Sequence, residues 1–234
     1  MKSTAIILSA GHGKRMQAPI AKQYLYLGGK PILYYSLAVF SAASEIDNII
    51  VVLSAEDHDF VDHDIVKKYH FHKVTDIVIG GRERYHSVSN GLLAAGANDS
   101  DYIFIHDGAR PFIETVFISR AKEAVSEHPA VVLGMPVKDT IKRIDNTNIV
   151  CETPDRSTLW AVQTPQVFAA PLIKTAYRIL IEREQELTSQ GVVITDDAMV
   201  VEAFTGAKVK LIPGSYRNIK ITTPEDLKIA AALL

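Results

Sequence analysis

Thr4-Ala5-Ile6-Ile7-Leu8 runs straight into Ser9-Ala10-Gly11-His12-Gly13-Lys14-Arg15-Met16, and Lys22-Gln23 follow a few residues later. A short apolar run that ends in small residues and glycine reads as a buried first strand emptying into a tight loop. Glycines let backbone N–H groups turn inward, while Arg15 and Lys22 add positive charge. Donors and cations at close range suit a triphosphate. On the glycines alone, a plain strand-to-helix turn with two surface cations is the favoured reading. Two other phosphate-binding patterns are excluded. A P-loop needs glycine where Leu8 stands and Ser or Thr where Arg15 stands. A dinucleotide fingerprint needs glycine at Met16 and an acid about 20 residues on, yet no acid occurs before Glu45.

Beyond this loop, apolar runs alternate with helical patterns. Helices are expected over 31–43, 56–69, 87–95 and 114–127, and strands over 48–53, 75–79, 102–106 and 130–133. Strands apolar on both faces and separated by helices imply a mostly parallel α/β sheet covered on both sides. The alternation breaks at 137–153, a β-like stretch with a turn at Asp145-Asn146-Thr147-Asn148 and no helix. Such an inserted hairpin has no apolar partner of its own, and a second subunit is the simplest one. Helices resume over 171–190 and 196–205, then a strand over 208–212 and a last helix from Pro224. The 234 residues are expected to form a single domain with an arm inserted at about 137–160.

Composition narrows the function. The chain is 47% hydrophobic and 22% charged, with a net charge of −2, so nothing favours a nucleic-acid polymer or an anionic membrane as partner. The single cysteine, Cys151, excludes an intramolecular disulfide framework, and the eight histidines show no zinc-ligand spacing. With no leader pattern and no membrane-length apolar run, a cytoplasmic location is expected.

Ligands of open α/β sheets sit outside the carboxyl ends of the strands, where the polar clusters of this chain also fall. Gly80-Gly81-Arg82-Glu83-Arg84-Tyr85-His86-Ser87 combines a glycine turn with a helix start, which suits a nucleotide or merely a capped helix. Asp107, at a strand mouth before Gly108, suits Mg²⁺ held with phosphate oxygens; a turn-forming Asp is the alternative. Thr195-Asp196-Asp197 reads as a helix cap, and Lys220 interrupts an apolar alternation.

Together these segments resemble the 2-C-methyl-D-erythritol 4-phosphate cytidylyltransferases. The likeness runs from Ala10–Met16 and Lys22-Gln23-Tyr24-Leu25 through Gly81-x-Glu83-Arg84-x-x-Ser87-Val88 and His106-Asp107-Gly108-Ala109-Arg110-Pro111. It continues in Val137-Lys138-Asp139-Thr140, Asp155-Arg156, Thr164-Pro165-Gln166, Thr195-Asp196-Asp197-Ala198 and Asn218-Ile219-Lys220-Ile221-Thr222. Ala21 departs from the proline usual before the lysine, and Ser9 from a common alanine.

The resemblance implies a Rossmann-like nucleotidyltransferase fold whose β-arm reaches into a partner subunit of a homodimer. It implies transfer of a cytidylyl group from CTP to methylerythritol phosphate, with Mg²⁺ required and pyrophosphate released. Arg15 and Lys22 would then stabilise the reacting phosphorus and the leaving pyrophosphate, with Lys220 on the opposite side. Ala10, Gly11, Gly13, Gly81, Ser87, Asp107 and Gly108 would bind the nucleotide, Asp107 holding the metal and touching the second substrate. Thr140 and Arg156 would grip the polyol phosphate across the interface, with Thr164 and Thr195 nearby. Two other readings stay open on the sequence: a ribitol 5-phosphate cytidylyltransferase, and a non-catalytic nucleotide-binding protein that keeps the fold.

Overall fold

Strand β1 (Ser3–Ser9) is flanked by parallel β4 (Asn48–Leu53) and β6 (Tyr102–Asp107), with Ile6 opposite both Ile50 and Ile105. The computed structural model describes residues 1–11, 21–96 and 100–234. Between β1 and β4 lie a two-stranded ribbon, β2 (Tyr26–Leu27) with β3 (Lys30–Pro31), and helix α1 (Ile32–Ala42). The stretch expected as one helix over 56–69 is instead a 3₁₀ turn, the short α2 (His58–Phe60) and a π-helical run, Val61–Lys67. Only Val61 and Ile65 of that run are buried, so one narrow apolar stripe docks it.

Strand β5 (Val74–Ile79) leads into α3 (Arg84–Gly96), and β6 into α4 (Thr115–Glu127) and β7 (Ala130–Pro136). The arm follows, with β8 (Arg143–Ile144) paired antiparallel to β9 (Val150–Glu152). Its turn is held by Asp145, whose Oδ1 accepts from the backbone of Thr147 and Ile149. Asn148 supplies the positive φ of 64°. Residues 138–153 are exposed throughout.

Strand β10 (Trp160–Ala169) was not expected from the pattern, and it sits in the middle of the sheet, antiparallel to both β6 and β7. Helices α5 (Ala170–Glu182) and α6 (Glu184–Ser189) replace the single helix expected over 171–190. Arg183 lies between them. Helix α7 (Asp197–Thr205), strand β11 (Lys210–Pro213) and α8 (Pro224–Leu233) complete the chain. Asp196 caps α7 at the Met199 amide, and Gly206 closes it at φ 68°. A Thr223/Asp226 capping box starts α8.

The sheet order is β11-β7-β10-β6-β1-β4-β5. All pairings but those of β10 are parallel, as expected of a sheet whose faces are both covered. One face packs on α1 and α4 through Leu37, Phe40, Phe104 and Ile118; the other packs on α3, α5 and α7 through Val88, Ile105, Ile173 and Val200. Among the described residues no helix is long and apolar enough to cross a membrane. With both faces buried, the carboxyl ends of β1, β4, β5 and β6 are left to form a site.

Candidate active site

A cavity of about 740 Å³ opens at those ends, between the loop after β1, the loop after β5 and Asp107 of β6. Its wall includes Ala10, Gly11, Lys22, Gly81, Arg84, Ser87, Asp107 and Lys220. The three polar clusters that the alternation placed at strand ends therefore meet in one pocket.

The loops are pinned by the protein's own hydrogen bonds. Gln23 Nε2 donates to the carbonyls of Ser9 and Gly11, and Ser54 Oγ donates to Ala10 O. The Gly81 amide donates to Ser87 Oγ at 3.1 Å. A Cβ on Gly80 would lie 2.6 Å from Ala10 Cβ, so the two loops approach closely only because that residue lacks one. Gly108 acts behind the wall, its amide bonded to Leu8 O at 2.9 Å. A Cβ there would press on Leu33.

Asp107 is the electrostatic focus. Lys220 Nζ lies 2.8 Å from its Oδ2, Arg110 Nε 3.8 Å from the same oxygen, and Arg84 Nε 3.6 Å from Oδ1. Burial alone would raise the carboxyl pKa; these three cations outweigh it and hold the group well below the usual carboxylate range. Arg110 is itself fixed by donating to Asn218 O at 2.7 Å. A chain of hydrogen bonds supports Asp107 from behind. Its amide donates to Thr164 Oγ1 at 3.0 Å, and Thr164 Oγ1 donates to His106 Nδ1 at 3.0 Å. His106 Nε2 in turn donates to Arg110 O at 3.3 Å. Burial pushes the His106 pKa down to about 4, so the ring is neutral and its one N–H is committed to that carbonyl.

Among the described residues, each expected site residue has a definite place. Ala10, Gly11, Lys22, Gly81, Ser87, Asp107 and Lys220 line the pocket. Gly108 and Thr164 stand behind it. Thr140 and Arg156 are exposed on the arm, where Arg156 donates to Lys138 O, and Thr195 is exposed ahead of α7. Arg15 and Gly13 lie outside the described residues.

Three participants were given no role on the sequence: Arg84, Arg110 and Asp197. Both arginines stand inside quoted motifs, beside the glycines of strand-end loops, and that adjacency was the available signal. The sequence pattern groups Asp197 with the helix cap. Its neighbour Asp196 does the capping, which leaves Asp197 free to turn inward.

A mostly parallel α/β sheet with a glycine-walled, cation-rich pocket at its carboxyl ends is the architecture of a Rossmann-like nucleotidyltransferase. The sequence pattern of the 2-C-methyl-D-erythritol 4-phosphate cytidylyltransferase family matches residues 3–234, and the chain belongs to that family. It is 46% identical to the enzyme of that name from Lachnoclostridium phytofermentans, over 100% of this chain and 96% of the relative. It is 47% identical to the one from Lachnospira eligens, over 99% of each. Among solved structures, 4-diphosphocytidyl-2C-methyl-D-erythritol synthase from Anaerococcus prevotii superposes with a TM-score of 0.83 at 36% identity, covering 99% of this chain and 95% of that one. The Francisella tularensis cytidylyltransferase superposes with a TM-score of 0.80 at 30% identity, covering 100% of both.

Proposed function

We infer that the protein transfers a cytidylyl group from CTP to 2-C-methyl-D-erythritol 4-phosphate in non-mevalonate isoprenoid synthesis. A phosphate oxygen of the polyol attacks the α-phosphorus, the bond from that phosphorus to the β-phosphate bridging oxygen breaks, and pyrophosphate leaves. The observation that carries the reading is Asp107 among three cations on the floor of the strand-end pocket. Because little covalent chemistry falls to the protein, its work is positioning and charge stabilisation.

Lys22 and Lys220, both on the pocket wall, are assigned to the reacting phosphates, with Arg15 as their expected companion. The backbone of Ala10, Gly11 and Gly81 and the Ser87 hydroxyl on the pocket wall, with Gly108 behind them, would cradle the nucleotide, with Gly13 as their expected companion. Among the described residues no cluster of three or more His, Cys, Asp or Glu could hold a metal ion. Mg²⁺ needs no such cluster, since it binds through one or two carboxylates plus substrate phosphates, and Asp107, on the pocket wall at the mouth of β6, is the carboxylate assigned to it. When bound, the ion would neutralise charge on the triphosphate.

The second substrate is assigned to the arm of a partner subunit, through Thr140 and Arg156. Thr164 acts near it by way of Asp107, with Thr195 close by. Support for a homodimer comes from the hairpin itself, which exposes Ile144, Ile149 and Val150 together. Steady-state pyrophosphate release with CTP, comparing methylerythritol phosphate with ribitol 5-phosphate, tests the assignment. Preference for the ribitol compound, or no release with either, would overturn it.

A further inference from the structure

Asp197 is fully buried at the first turn of α7 and is absent from the pocket wall. Both its oxygens accept from Arg84, with Nη1 2.9 Å from Oδ1 and Nη2 2.7 Å from Oδ2. Tyr177 of α5 donates its hydroxyl to Oδ1 at 2.5 Å. Burial, and then the adjacent Asp197, push the tyrosine pKa far up, so it stays a donor. The bidentate fork fixes the plane of the Arg84 guanidinium. That plane leaves Nε facing Asp107 at 3.6 Å while the side chain, 31% exposed, lines the cavity.

Packing alone does not call for such a pair. Replacing buried ion pairs with apolar side chains of similar volume is often neutral or stabilising. A charge pair is needed where one partner must be held in a set place. Without Asp197, Asp107 is the carboxylate that remains paired with Arg84 among the described residues, and the guanidinium would close on it.

We propose that Asp197, with Tyr177, is a positioning residue of the cytidylyl-transfer site: it holds Arg84 back from Asp107, so that the guanidinium and the Asp107 carboxylate both face the nucleotide. The inference rests on the activity read above and deepens it, adding a layer behind the pocket that the substrate never touches. Asp197→Asn keeps the shape and removes the charge. Its KM for CTP should rise about tenfold, the size expected for a charge-assisted hydrogen bond, with a much smaller change in KM for the polyol phosphate. Tyr177→Phe removes one of three bonds to Asp197 and should shift KM for CTP in the same direction by about twofold.

The deciding experiment is a double-mutant cycle with Arg84→Gln, read as KM for CTP and as CTP affinity by calorimetry with Mg²⁺ present and no second substrate. If Asp197 acts through Arg84, Asp197→Asn adds little in the Arg84→Gln background, and the double variant matches Arg84→Gln. Additive losses, or an Asp197→Asn variant that melts earlier but binds CTP normally, would overturn the proposal. So would an Arg84→Gln variant with unchanged CTP affinity. Should either single variant fail to fold, the double variant, with both charges removed, is compared with wild type alongside Tyr177→Phe. A double variant that binds CTP as well as wild type then counts against the idea. Wild-type protein that binds CTP without transferring it defeats the activity reading alone, because the coupling is still read from binding.

Discussion

Lys220 Nζ stands 2.8 Å from Asp107 Oδ2, so a lysine from the loop before α8 ends on the carboxylate at the mouth of β6. The link passes through β10: Asn218 Nδ2 donates to the Thr164 carbonyl at 2.9 Å, and Thr164 receives the Asp107 amide. The carboxylate and the lysine opposite it thus share one buried polar scaffold. The ion pair holds the lysine at the pocket wall, where the phosphates of a nucleotide would compete with Asp107 for it.

From that placement, Lys220→Ala is expected to lower kcat by about 10²–10³, more than it raises KM for CTP, because a lost electrostatic donor acts mainly on charge developed in the transition state. Steady-state kinetics at varied CTP reads the split. A variant with near-normal kcat would leave the lysine only as a partner for Asp107.

Asp107→Asn separates two roles by the sign of its effect. If the carboxylate merely balances Arg84, Arg110 and Lys220, removing its charge leaves those cations unopposed and triphosphate binds more tightly. If it holds Mg²⁺, affinity for CTP falls and the Mg²⁺ dependence of the rate weakens with it. The second outcome is expected. A Mg²⁺ titration of CTP binding, variant against wild type, gives the sign directly.

The difference between what was and was not legible in the chain follows the same scaffold. Strands β1, β4, β6 and β7 are apolar on both faces, and local pattern finds them. Strand β10 escapes that pattern because Gln163, Thr164, Pro165 and Gln166 interrupt it, and proline argues against a central strand. Its ladder shifts register between Val162 and Gln166, where those polar side chains turn to Ser215, His106 and Asp196. Buried polar residues on this strand carry the site rather than the core. The pocket glycines and lysines were visible as motifs on strand ends. The pairing of Arg84 with Asp197 was not, since no local spacing joins residues from α3 and α7.

His106 makes stability depend on pH. The unfolded ring takes up a proton near 6.5, whereas the buried ring resists until about 4. Between these values the unfolded state binds more protons, so stability rises with pH across the window. The contribution is complete above about pH 6.5 and is lost as pH falls toward 4. That gap corresponds to roughly 3 kcal/mol. Thermal melting from pH 7 to pH 4 should show the decline, and His106→Asn should flatten it while melting lower at pH 7. Parallel pH profiles for variant and wild type would refute the assignment.

The arm carries the widest claim, that each active site is completed by the other subunit. Arg156 sits in a 3₁₀ turn capped by Asp155, and its exposed side chain donates to the backbone carbonyl of Lys138. A planar guanidinium so placed matches two phosphate oxygens in a way that lysine does not. Arg156→Lys should therefore raise KM for the polyol phosphate and leave CTP binding nearly intact. The test of sharing mixes two inactive variants, Lys22→Ala and Arg156→Ala, under conditions that allow subunits to exchange. In a mixed dimer, one site takes Lys22 from one chain and Arg156 from the other, so it is whole, while the second site lacks both. Random mixing makes half the dimers mixed and restores roughly a quarter of wild-type activity. If each chain completed its own site, every site would keep a defect whatever the partner. No recovery despite exchange proven by mass spectrometry would reduce the arm to a structural clasp.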